Sequence, residues 1–171
     1  ARLRDKRVCA VTAPARPVAE RQAAGLGAWP RVALEAELAT IVAGCRVEVV
    51  GEIDSTNTEL MRRIRAGDCP ATLLVAERQT AGRGRLGRVW QSENTAVANQ
   101  GEGPAPGPLA SLTFSLGMAL APKDWSGLSL VVGLVVARCL HPALGLKWPN
   151  DIWLDGRKLA GILIETASVA E

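Results

Sequence analysis

An α+β domain, with helices packed on a sheet, is what this 171-residue sequence predicts, and three patterns predict it. Apolar residues recur at helical spacing over 32–42 and almost fill 125–140, while residues 112–120 alternate between apolar and small or polar. Asp155-Gly156 stands between two strand-like runs, the signal of a two-residue hairpin. With 48% hydrophobic residues, 22% charged and a mean hydropathy of +0.13, there is apolar material for one core, which excludes a wholly disordered chain.

Residues 1–30 mix Arg, Ala, Pro and Gly without periodicity, and are expected to be a disordered or loosely attached basic leader; a transit peptide stays open, a secretory signal does not. Residues 31–171 are expected to form the domain. Pro30 suits a first helical turn, Val32, Leu34, Leu38, Ile41 and Val42 have helical spacing, and Gly44 closes the helix. Residues 47–50 read as a strand. Asp54-Ser55-Thr56-Asn57 then opens a helix carrying Leu60, Met61 and Ile64 and stopped by Gly67, with Thr56 and Glu59 spaced as a capping box.

Residues 71–76 make a buried-type strand leading into a Gly- and Arg-rich segment, and 92–108 a polar Gly/Pro-rich loop with the length of an insertion. Residues 125–140 read as an apolar helix under the sheet. In the hairpin, the expected register sets Leu154 against Arg157, Trp153 against Lys158 and Asn150 against Gly161, gathering Lys147, Asn150 and Lys158 at one end.

Several function classes drop out. Four cysteines at positions 9, 45, 69 and 139 contain no Cys-x-x-Cys pair, and a lone His141 does not complete a zinc site with them. His141 precedes Pro142 after an apolar helix, which suits a C-terminal cap rather than a general base. No Ser-His-Asp or Cys-His arrangement supports covalent hydrolysis. The longest apolar run, 128–137, falls short of the ~20 residues that cross a bilayer, so no membrane partner and a soluble, cytoplasmic protein are expected. The formal charge is +3, but residues 1–31 hold seven basic and two acidic side chains, so the basic excess lies in the leader and argues little for nucleic acid.

Gly82-Arg83-Gly84-Arg85-Leu86-Gly87-Arg88-Val89 formally matches both a dinucleotide turn and a kinase glycine loop. Neither context fits, because no helix follows and the other kinase elements are absent. Three guanidiniums on a glycine-freed backbone suit a polyanion such as a triphosphate, or equally a solvated or nucleic-acid-facing loop. Asp54-Ser55-Thr56-Asn57 offers hydroxyl and amide groups at a helix N-terminus, as a ligand site or a plain cap. Lys147-Trp148-Pro149-Asn150-Asp151 joins a cation, an aromatic ring and two oxygen ligands suited to Mg²⁺ or to a turn. Lys158 lies near that loop, and Gly161 permits close backbone approach.

Taken in order, Asp54-Ser55-Thr56-Asn57, the run from Gln79 through Gly82-Arg83-Gly84-Arg85 to Trp90, Lys147-Trp148-Pro149-Asn150-Asp151, and Arg157-Lys158-Leu159-Ala160-Gly161-Ile162-Leu163 resemble the biotin protein ligases over roughly residues 31–167. The resemblance implies a mixed sheet packed by helices, akin to class II aminoacyl-tRNA synthetases. It implies activation of biotin by ATP to biotinyl-5′-AMP, with Mg²⁺, and transfer to a lysine of the biotin carboxyl carrier protein of acetyl-CoA carboxylase or a related carboxylase.

It also implies roles. Ser55, Thr56, Asn57, Gln79, Arg83, Gly84, Arg85, Lys158 and Gly161 would hold biotin. Arg83, Arg85, Arg88, Trp90, Lys147, Asn150 and Asp151 would hold ATP, with Asn150 and Asp151 assisting Mg²⁺. Arg85 and Lys158 would be catalytic, screening the two anions that must meet. The family's catalytic domain continues beyond the last motif, so residues 31–171 are expected to be its N-terminal part, with the activity of so short a chain open. A homodimer is allowed. The leader lacks paired amphipathic helices, so no sequence-specific DNA binding is expected. The rival readings are a lipoate or octanoate ligase and an inactive biotin-binding fragment.

Overall fold

A computed structural model describes residues 5–14, 29–68, 70–90 and 111–168. Its elements run β1 (Asp5–Pro14), α1 (Arg31–Ile41), β2 (Arg46–Ile53), α2 (Thr56–Arg65), β3 (Thr72–Gln79), β4 (Gly82–Arg83), β5 (Val89–Trp90), β6 (Ser111–Ala119), α3 (Leu128–Leu140), β7 (Gly145–Lys147), β8 (Asp151–Leu154) and β9 (Arg157–Ser168). Seven strands form one sheet in the order β2-β3-β6-β1-β9-β8-β7, and β4 and β5 form a separate two-stranded ribbon. The β2–β3 pair is parallel, joined through α2, and the other pairs are antiparallel. This is the mixed α+β sheet that the sequence led us to expect.

The leader expectation needs correction for part of its length. Asp5–Pro14 pairs with β6 on one side and β9 on the other, in the middle of the sheet. Its Arg7-Val8-Cys9-Ala10-Val11-Thr12 run has β-compatible residues, but its worth as a strand depends on two flanking partners far along the chain. Residues 15–28 and the 92–108 loop lie outside the described residues.

The pleat divides the sheet into two chemically different faces. On one, Ile152, Ala160 and Ile162 pack with Ala137 of α3, flanked by Phe114, Val132, Val136, Leu144 and Ile164. On the other, Leu60, Met61 and Ile64 of α2 close over Leu74, with Val50, Ile53 and Ala167 beside them. The apolar helix expected under the sheet thus buries only one stripe. Gly133 and Ala137 are buried, because a Cβ on Gly133 would already stand 3.0 Å from Leu146 Cδ2 and 3.1 Å from Ile162 Cδ1, whereas Val131 and Val135 are 58% and 56% exposed.

Helix α2 differs from its expected start by one residue. Ser55, not Thr56, is the N-cap, its hydroxyl accepting from the Thr58 N–H at 3.3 Å. Glu59 does not close a capping box, because it binds Arg62 and Arg63 on its own helix. Arg62 also grips Asp54 through both terminal nitrogens, and Arg63 reaches Glu48 of β2. Hydrogen bonds from Arg62 are the main cause holding the Asp54 and Glu59 carboxyls below their ordinary values. At the far end of the chain, Asp155 (φ 49°) and Gly156 (φ 73°) make the two-residue turn of the β8–β9 hairpin. Leu154 faces Arg157 and Trp153 faces Lys158 as expected, but a bulge follows, so Asp151 rather than Asn150 opposes Gly161.

Ile152 is fully buried between α3 and β9, so Ile152→Ala is expected to lower the unfolding free energy by about 2–5 kcal/mol, read from urea midpoints. Because the Asp54 and Glu59 carboxyls are depressed in the folded state, their contribution is complete above the unfolded carboxylate range of about pH 4 and is lost as pH falls through the lower folded values. Thermal midpoints of the wild type should therefore drop on acidification below that range, and Arg62→Ala should flatten the drop.

Candidate active site

The functional candidates collect on the α2 side of the sheet. At its inner end, Gln79 closes β3 opposite the first turn of α2. Its Oε1 accepts from the Thr56 backbone N–H at 2.8 Å and from Thr56 Oγ1 at 3.1 Å. Thr56 Oγ1 lies 2.8 Å from Ser115 Oγ of β6, and Ser55, Thr56, Asn57, Gln79 and Ser115 are all buried. Thr56, Gln79 and Ser115 satisfy one another, which lets neutral polar groups lie this deep. The chain between β3 and the ribbon is pinned as well, with Thr80 N–H on Ile53 O and Ala81 N–H on Asp54 O.

Next along the face, the β4–β5 ribbon lies across β9. Arg83 donates through Nη2 to Glu165 Oε1, while Asn57 Nδ2 donates to Glu165 Oε2. Trp90, paired with Gly82, sets its ring against Gly161, where a Cβ would stand 3.2 Å from Trp90 Cζ3 and 3.4 Å from Lys158 Nζ. Lys158 Nζ lies 5.0 Å from the Trp90 ring centroid and forms an ion pair of 2.7 Å with Asp151. Between the ribbon strands, Gly84 N–H bonds Arg88 O, Leu86 adopts φ 58°, and the exposed Arg85 donates to Asn150 Oδ1 at 3.3 Å.

Asn150 fixes the outer end. Its Nδ2 donates to Ile162 O at 2.8 Å and its own carbonyl accepts from Ile162 N–H at 2.9 Å, so it continues the pairing past the bulge. The Trp148–Pro149 peptide bond is cis, and Ser129 of α3 donates to Pro149 O.

Most of the sequence candidates are thus brought together: Ser55, Thr56, Asn57, Gln79, Arg83, Trp90, Asn150, Asp151, Lys158 and Gly161 line one face, with Gly84 and Arg85 at its rim. Two make no contact with the others: Lys147, opposite Asp151 on the same face, lies over the Trp153 ring at 4.0 Å, and Arg88 is exposed, its carbonyl closing the ribbon turn. Asn150 and Asp151 do not fit a protein-built Mg²⁺ site. Asn150 is engaged at both ends of its amide, Asp151 is paired with Lys158, and among the described residues no three His, Cys, Asp or Glu side chains gather to hold a metal.

Ser115 and Glu165 were missed by the sequence reading. The alternation of β6 puts Ser115 inward, and Glu165 lies four residues after Gly161 on the same strand face; that period was the available signal.

The site thus combines a neutral polar cradle at one helix N-terminus with cations from a glycine loop and a hairpin. Residues 49–99 match the Biotin/lipoate A/B protein ligase family. The chain is 38% identical over 133 residues to the biotin--[acetyl-CoA-carboxylase] ligase of Mycobacterium tuberculosis, covering 71% of this chain and 45% of that protein. It is 40% identical over 129 residues to the bifunctional ligase/repressor BirA of Escherichia coli, covering 71% and 35%. The solved biotin acetyl coenzyme A carboxylase synthetase from Helicobacter pylori, with bound biotinylated ATP, superposes with a TM-score of 0.53 at 25% identity over 74% of this chain and 61% of that one. Over 71–74% of its length the chain is similar to these biotin protein ligases, and it has the fold of the solved synthetase. It spans less than half the length of the two curated relatives.

Gly82 cannot accept a side chain, since a Cβ there would meet Trp90 O at 2.5 Å and Gln79 Nε2 at 2.9 Å. Gly82→Ala is expected to part β4 from β5 at a cost of about 1–3 kcal/mol, seen as a lowered urea midpoint with loss of ribbon amide protection in hydrogen exchange.

Proposed function

We propose that this chain carries the biotin-activating site of a biotin protein ligase, which joins biotin to ATP as biotinyl-5′-AMP and passes it to a lysine of a biotin carboxyl carrier protein. The observation that carries the reading is the convergence of four separated sequence segments on one sheet face, neutral and deep at Thr56 and Gln79, cationic at Arg83, Arg85 and Lys158. That order matches a ligand with an uncharged polar head and a carboxylate tail.

In this reading, Ser55, Thr56, Asn57 and Gln79 hold the ring, and the Trp90 ring with Gly161 shapes the passage of the chain. Lys158 receives the carboxylate, exchanging Asp151 for it. Arg85, whose partner Asn150 is neutral, turns more easily toward the nucleotide phosphates than Arg83 or Lys158, whose partners are carboxylates. A carboxylate oxygen then attacks the α-phosphorus, the bond to the pyrophosphate oxygen breaks, and pyrophosphate leaves. Two anions must approach for this step, so Lys158 and Arg85 act by screening and alignment, and no protein nucleophile is needed. In the second step, the carrier lysine attacks the acyl carbon and AMP departs. Arg83, Arg88, Trp90, Lys147, Asn150 and Asp151 form the nucleotide side. A cytoplasmic location, no sequence-specific DNA binding, a homodimer as an allowed state, and a catalytic fold that takes in Asp5–Pro14 together with residues 31–168 complete the proposal. No described helix is long and apolar enough to cross a membrane.

The test is biotin-dependent exchange of labelled pyrophosphate into ATP, with lipoate and octanoate in parallel. Exchange with biotin alone is expected; exchange with lipoate or octanoate instead, or with none of the three, counts against the proposal. Arg85→Ala should lose retention of the adenylate by about tenfold more than it loses biotin affinity, since its contact is with the charge that develops there; equal losses would remove Arg85 from the catalytic role.

A further inference from the structure

Glu165 holds two of the site residues at once. Its two carboxylate oxygens accept separately, one from Arg83 and one from Asn57. An ionised carboxylate only accepts, whereas an Asn amide has one donating and one accepting end. The NH₂ of Asn57 must therefore face Glu165, and its carbonyl oxygen must face away. That oxygen is buried and has no hydrogen-bond partner among the described residues, although Asn57 itself is only 2% exposed. A buried acceptor left in this way calls for a reason. The neighbouring acceptor, Gln79 Oε1, already takes both Thr56 donors.

We infer that Glu165 is a positioning residue that sets the hydrogen-bond polarity of the pocket: by taking the donor end of Asn57, it leaves the acceptor end for an N–H group of the ligand. The inference rests on the biotin reading, in which that N–H belongs to the ureido ring, and deepens it by assigning which end of Asn57 meets the ring. The same carboxylate ties Arg83, and with it the ribbon, to β9.

Glu165→Gln should invert this polarity. Arg83 only donates, so it takes the single oxygen of the new amide. The new NH₂ then faces Asn57, which turns its carbonyl to it and presents its own NH₂ to the ligand. Combining Asn57→Asp with Glu165→Gln restores the original sense, because the carboxylate introduced at position 57 accepts from the new amide and still offers an oxygen to the ligand. A residue that merely supports the fold would not be rescued in this way.

The experiment titrates biotin, and an analogue with both ring N–H groups replaced by oxygen, into the wild type, Glu165→Gln and the double variant, with side-chain amide NMR of Asn57 in the ligand-free proteins. The wild type is expected to prefer biotin by about 100-fold or more. Glu165→Gln should cut that preference at least about tenfold, and the double variant should bring it back to within about threefold. The Asn57 NH₂ resonances should shift on Glu165→Gln. A wild type that binds neither compound overturns the biotin reading alone, and the NMR shift then decides the inference. Unchanged preference in Glu165→Gln, a folded double variant without rescue, or unmoved Asn57 NH₂ resonances overturn the inference itself.

Discussion

Strand β9 has to satisfy two different environments at once, and the rest of the structure depends on its doing so. Ala160 and Ile162 turn to α3 and close the apolar core, while Gly161 and Glu165 turn to the opposite face, where Trp90, Arg83 and Asn57 meet them. The period-two alternation of a strand makes both possible in six residues. It also makes the strand intolerant of a register slip, since a shift of one residue would place Glu165 in the core and Ile162 in the site. The bulge before Ala160 and the clamp from Asn150 to Ile162 hold that register at the end nearest the hairpin.

The cations at the site are held in reserve by internal partners. Arg83 leans on Glu165, Lys158 on Asp151 and Arg85 on the neutral Asn150. These groups are partly exposed, so the pairs contribute little to stability and exchange readily for stronger anions. Under the proposed function their use is geometric: each keeps a long side chain near the place where a carboxylate or phosphate would arrive, which lowers the ordering cost of binding. The neutral cradle at Thr56, Gln79 and Ser115 works oppositely. It is buried and mutually bonded, so its shape is set before any ligand enters.

Helix α2 links these two regimes. Its N-terminus supplies Ser55, Thr56 and Asn57 to the cradle, while Arg62 and Arg63 on the following turns anchor it to Asp54 and Glu48. Because Leu60, Met61 and Ile64 seat the same helix on Leu74, the site residues ride on a packed element. The ribbon that carries Arg83 and Arg85 has two-residue strands, and Gly82 is the one buried residue in them. Its position depends on contacts with β9.

Much of the fold was legible in the sequence because its signals are local. Helical spacing marked α1 and α2, alternation marked β6, Asp155-Gly156 marked the hairpin, and His141 does cap α3 through its N–H on Ala137 O. The four motifs marked the site for the same reason, since each is contiguous in the chain. What failed was non-local. The strand Asp5–Pro14 has too little pattern of its own to reveal that β6 and β9 leave a place for it, and the Ser55 cap won over Thr56 because the Thr56 hydroxyl is drawn to Gln79 and Ser115. The sequence by itself determined most of the elements, the fold class and most of the residues that gather at the candidate site. Only the tertiary structure decided that Lys147 turns to Trp153, that Asn150 and Asp151 are already engaged, and that Glu165 governs Asn57, because each depends on which side chains a bulge and a sheet order bring within hydrogen-bond reach.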